Sequence, residues 1–202
     1  MRHKLLLIFL LVFVSISSAQ NVDDTLQKIK DKFEGLESFS TDFKAEYNIP
    51  SSGSNTTTGK FYFAPVDKYR LEIRGIVISS DGEVTRTYQK KSNKVIINYT
   101  SEYPNSLSLN KYLFEYPEQC NLSIVSDDEF QGIKFIPKKD DLEFEYAEVY
   151  FDKDYLIRKI IIADYQGSVY TAHLSNLKAK QNFDDSFFEY NGPEGVKVVD
   201  LR

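Results

Sequence analysis

The chain has 202 residues, with 30 acidic and 25 basic side chains and a formal charge of −5. The acids and bases alternate rather than forming a basic stripe, which argues against nucleic acid as a partner. A single cysteine, Cys120, excludes an intramolecular disulfide, so stability must come from an ordinary hydrophobic core, for which the length suffices.

Residues 1–19 have the three parts of a cleavable export signal: basic Arg2 and Lys4, an apolar run over 5–14, and small Ser17, Ser18 and Ala19 before Gln20. A run of about ten apolar residues is too short for a hydrocarbon core that needs about twenty. Cleavage is expected to leave one domain over 20–202; losing Arg2 and Lys4 takes the formal charge to −7. The cleavage point carries no cysteine to receive a lipid, so the mature chain is expected to be free, in the periplasm, and monomeric.

Val22, Leu26, Ile29 and Phe33 recur at helical spacing and predict a helix over 22–35, with Asp23 and Asp24 in its first turn and Gly35 as its stop. Period-two alternation then predicts strands near 40–49, 59–64, 68–74, 84–90, 94–99, 130–136, 144–152, 156–164, 168–177 and 187–190. Short turns at Ser80-Asp81-Gly82, Lys91-Ser92-Asn93, Asp152-Lys153-Asp154 and Gln166-Gly167 join them into a meander. The polar stretch 50–59 is expected to be a mobile hairpin tip.

The stretch 101–120 breaks the strand rhythm and reads as a short helix or two, with Leu107, Leu109, Leu113 and Phe114 crowded between prolines. A long sheet with one apolar face must curl or be covered. The expected fold is mainly β: an open, incomplete antiparallel β-barrel with a lid of short helices.

In the strand 68–74, Tyr69, Leu71 and Ile73 point to one face and Arg70, Glu72 and Arg74 to the other. The apolar face either lines a cavity or packs as solid core, and the pattern alone favours core. Fourteen Tyr and fifteen Phe without Trp suit a wide apolar wall but do not prove one. His173, the only histidine after residue 3, has no nucleophile or metal ligand at a known spacing, nor has Cys120. The pairs and triplets at 127–129, 140–141 and 184–185 lack the alternating oxygen spacing of a calcium loop and read as solvated turns. No catalytic residue, metal ligand or cofactor is expected, and an enzyme is the class least supported.

In order, Phe39, Gly59-Lys60-Phe61-Tyr62-Phe63, Lys68-Tyr69-Arg70-Leu71-Glu72, Ser80-Asp81-Gly82 with Tyr88, and Phe188-Glu189-Tyr190 before Pro193-Glu194-Gly195-Val196 resemble the periplasmic outer-membrane lipoprotein carrier family, LolA. The series runs from residue 22 to 201. Two places depart from the family pattern: 63–67 reads Phe-Ala-Pro-Val-Asp without its basic residue, and Arg86 stands where an aromatic is common.

The resemblance implies an apolar cavity that shields the acyl chains of lipoproteins between the inner and outer membranes. The implied partners are acylated lipoproteins, an ATP-driven exporter in the inner membrane and an acceptor at the outer membrane. Strand parity and the helix stripe place Phe33, Leu36, Phe43, Phe61, Phe63, Tyr69, Leu71, Ile73, Leu113 and Phe114 in the expected lining. Val22, Leu26, Ile29, Leu107 and Leu109 form the expected lid. A periplasmic sensor or regulator, or a carrier of another lipid or hydrophobic ligand, remains open on the same fold.

Overall fold

The computed structural model describes residues 16–51, 53–65, 67–102 and 110–202. It begins with helix α1 (Ile16–Gly35), whose Val22, Leu26, Ile29 and Phe33 are all buried, as is Leu36 just past its end, while the residues between them are mostly exposed. That stripe at three- and four-residue steps is what one side of a helix presents to a core. The helix starts six residues earlier than predicted, so Asp23 and Asp24 lie in its interior rather than its first turn. It ends as expected at Gly35, but the residue that turns left-handed to close it is Glu37, with φ 57°, whose N–H bonds to the Glu34 carbonyl at 3.0 Å.

Twelve strands follow: β1 (Phe39–Ile49), β2 (Gly53–Ala64), β3 (Lys68–Ile73), β4 (Ile76–Ser80), β5 (Val84–Gln89), β6 (Lys94–Tyr99), β7 (Cys120–Ser126), β8 (Gln131–Pro137), β9 (Tyr146–Phe151), β10 (Ile157–Ala163), β11 (Val169–Ala179) and β12 (Lys197–Asp200). They make one open sheet in the order β12-β6-β5-β4-β3-β2-β1-β11-β10-β9-β8-β7. Two runs of hairpins, β1 to β6 and β7 to β11, meet where β1 pairs with β11. The fold is the predicted open, mainly β architecture with a helical cover, with one difference: β12 joins β6 in parallel.

Three local expectations give way to tertiary context. Residues 53–59 are not a mobile tip but the first half of β2, in register with β1 from Ile49↔Gly53 to Phe43↔Gly59. The β-branched Thr56, Thr57 and Thr58 suit a pleated strand despite their polarity. The predicted strand at 187–190 is instead the end of a single helical turn, α3 (Asp185–Phe188), because its aromatic rings pack on one another and on Arg70 rather than alternating across a sheet. Strands β4, β7 and β12 were not predicted.

The break at 101–120 is helical where described. A π-helical turn over Lys111–Glu115 runs into α2 (Tyr116–Gln119). Leu107 and Leu109 lie outside the described residues. No described helix is long and apolar enough to cross a membrane.

Candidate functional site

Strand register shows which side chains share the concave face. One row runs through Ala45, Ala172, Ile160, Val149, Ile133 and Ile124 on β1, β11, β10, β9, β8 and β7. Another passes through Phe61, Leu71 and Ile78, and a third through Phe39, Phe63 and Tyr69. Alternation sends Arg70, Glu72 and Lys60 to the opposite face.

The helix stripe seats on this concave face. Phe33 is the node: its ring lies 5.9 Å from Phe39, 5.2 Å from Phe63 and 6.4 Å from Phe114, so one side chain joins α1, β1, β2 and the π-helical turn. All ten expected lining residues fall in one apolar cluster. Phe33, Leu36, Phe43, Phe61 and Leu113 are buried in it, and Phe63, Tyr69, Leu71, Ile73 and Phe114 are packed half-buried around it. Of the expected lid, Val22, Leu26 and Ile29 belong to the same cluster.

Gly59 makes room for this arrangement. A Cβ built there would stand 2.7 Å from the Phe43 ring and 2.1 Å from the Glu72 carbonyl oxygen, so only glycine lets β2 pass beneath that ring.

The other half of the concave face was missed from sequence. Ile133, Phe135, Ala147 and Val149 are the most deeply buried residues of β8 and β9. Their period-two alternation was visible, and it was read only as strand. Under α1 a gap of about 20 Å³ remains, lined by Ile29, Phe33, Leu36, Phe39, Leu156 and Leu174 among others. That is the room of one or two water molecules, so in this conformation the helix fills the concavity. A larger depression of about 320 Å³ opens at the β1–β11 bulge, but it is lined by Asp42, Lys60, Asn176 and Lys178 and is unsuited to an apolar ligand.

The polar groups near the site hold structure in place. Tyr112 and Tyr116 stack edge-on at 5.0 Å beside Phe144, and burial pushes both phenols above their usual range. Burial likewise raises the Cys120 thiol. His173 is exposed, facing Lys44 and Lys159 on neighbouring strands. Asp127 accepts N–H bonds from Glu129 and Phe130 and pairs with Lys159, which accounts for that acidic cluster as a capped turn.

On the convex face, the chain after β11 crosses β3 to β6 as a strap. The Arg70 guanidinium lies 4.5 Å from both the Phe187 and Tyr190 rings, donates to the Phe187 carbonyl at 3.1 Å and pairs with Glu72 at 2.8 Å. Beneath the strap, Val84, Val95 and Ile97 form a second small core with Tyr88 and Val196.

The family model described as outer membrane lipoprotein carrier protein LolA matches residues 34–191, most of the chain and most of this concave face. The chain belongs to the LolA family. A curated relative of this LolA-family chain, an uncharacterized protein of Methanocaldococcus jannaschii, is 24% identical over 208 residues, covering 98% of the chain. The chain spans only 60% of that relative's length. Among solved structures, a LolA superfamily protein from Nitrosomonas europaea has 12% identity and a TM-score of 0.47, with 83% of this chain and 96% of that one covered. The lipoprotein LppX of Mycobacterium tuberculosis has 13% identity and a TM-score of 0.48, with 83% and 100% covered.

Proposed function

We propose that this chain is an exported carrier that takes lipoprotein acyl chains onto the concave face beneath α1 and ferries them from the inner to the outer membrane. The observation that carries the reading is a family match spanning the strands whose inward side chains make a continuous apolar surface, covered by one amphipathic helix. Cleavage after Ala19 removes the first turn of α1 and leaves the stripe from Val22 onward intact.

Magnitudes favour loading by displacement. Lifting the four buried side chains of α1, Val22, Leu26, Ile29 and Phe33, off the sheet costs about 6–12 kcal/mol, at ~1.5–3 kcal/mol each. One acyl chain of about sixteen methylenes regains roughly 13 kcal/mol on burial. A single chain therefore offsets the opening, and two or three make it favourable, while the returning helix helps expel them. An ATP-driven donor in the inner membrane and an acceptor at the outer membrane are the partners this cycle requires.

The test is transfer of a lipoprotein from membrane vesicles to the purified protein. Leu71→Glu or Phe63→Glu is expected to abolish transfer in a variant that keeps its circular dichroism spectrum; undiminished transfer by a folded variant overturns the assignment of the concave face.

A further inference from the structure

The two edges of the open sheet are built differently. At one, β12 is four residues long and carries Lys197 and Asp200, the charges with which natural sheets discourage further pairing. At the other, β7 reads Cys-Asn-Leu-Ser-Ile-Val-Ser: seven residues with no charge, no proline and no bulge against β8. Its inner face is touched by α1, yet Asn121, Ser123, Ile124 and Ser126 are exposed, Ile124 at 38%.

Register settles which backbone groups are free. Lys138 N–H bonds to the Gln119 carbonyl and Asp127 N–H to the Phe130 carbonyl, so odd-numbered residues of β7 face β8. The N–H and C=O groups of Leu122, Ile124 and Ser126 and the C=O of Cys120 therefore point outward, and no described strand pairs with them; the Cys120 N–H closes the last turn of α2.

We propose that this edge pairs with the same strand of a second copy, antiparallel about a two-fold axis at Ser123. That register sets Leu122 opposite Ile124 and Cys120 opposite Ser126 of the partner copy, so the outward groups of Leu122 and Ile124 meet complements in full and the Cys120 carbonyl meets the Ser126 N–H. Side chains match as well. Leu122 and Ile124 lie on the concave side, and their cross-pairing continues the row through Val149, Ile133 and Ile124 into the second copy. The strand carries no like charges to oppose its own copy. Pairing stops where it should, at the helical turn of α2 on one side and the Asp127 turn on the other. The dimer departs from the monomer expected from sequence and stands independently of the cargo reading.

Sedimentation velocity over a concentration series, joined to cross-linking, tests it. The protein is expected to pass from monomer to dimer with rising concentration, and Ile124→Lys to weaken that association by roughly tenfold or more, as a charge on an edge strand does. Ile136→Lys, equally exposed but on the convex side of β8, is expected to leave it unchanged. In a Cys120→Ser background, Ser123→Cys at the exposed axis is expected to form an intermolecular disulfide on oxidation, and Ile136→Cys is not. A monomer at all concentrations, a dimer indifferent to Ile124→Lys, cross-linking at residue 136 rather than 123, or a monomer whose edge takes up an extended peptide instead would each overturn the proposal.

Discussion

At the scale of single residues, one side chain, Phe33, and one missing side chain, at Gly59, organise the apolar face. Phe33 touches rings on three other elements, so Phe33→Ala is expected to cost about 3–5 kcal/mol in urea unfolding through the cavity it leaves. Gly59→Ala is expected to cost about 1–3 kcal/mol, since the Phe43 ring must move and the Glu72 carbonyl cannot move cheaply. Gly35→Ala, where a Cβ meets nothing within 4 Å, serves as the control and is expected to be tolerated. Asp127 supplies a pH dependence. Its hydrogen bond from Lys159 and the Phe130 N–H hold its carboxyl down to about 2. An unfolded aspartate titrates near 3.9, so between about pH 4 and pH 2 the unfolded chain takes up a proton that the folded chain does not. Stability is thus fully present above that window and falls as the pH drops through it. Urea midpoints measured across the window should decline less steeply for Asp127→Asn than for the parent.

At the scale of elements, the cover and the strap do opposite work. The cover, α1, is held by apolar contacts, which in the proposed cycle an acyl chain replaces. The strap is held by directional ones: cation–π contacts of Arg70 with two rings, a carbonyl bond and an ion pair. Arg70→Ala is expected to speed hydrogen exchange in residues 185–200 while β7 to β11 keep their protection; Arg70→Lys should rescue little, because an ammonium cannot stack as a flat guanidinium does. The legibility of these elements from sequence follows the same division. Strands with strict alternation, such as β3 with Tyr69, Leu71 and Ile73, and the α1 stripe were plain, and so was the apolar face they turn toward one another. Cys120, Leu122 and Ile124 alternate just as regularly in β7, but two of the three partners are Asn121 and Ser123, and the crowded apolar stretch before them drew the reading toward helix. The run Ile76-Val77-Ile78 of β4 is apolar at every position, so it shows no period at all. At 187–190 the alternation was real in sequence and was overridden by Arg70, a partner more than a hundred residues away.

At the scale of the whole molecule, the proposed carrier cycle uses the same apolar residues twice, as core with α1 seated and as binding surface with it lifted. This reconciles the two readings of Tyr69, Leu71 and Ile73 that the sequence left open: they are packed, half-buried, against the cluster that the helix completes. The proposed cycle needs no standing cavity, which fits the gap of about 20 Å³ under the helix. The most direct measurement of this account is native mass spectrometry of the protein mixed with a triacylated lipopeptide, read together with hydrogen exchange in α1. The account predicts a one-to-one complex in which α1 loses protection while the strands keep theirs. A protein that stays unliganded, or binds with α1 still fully protected, would contradict it.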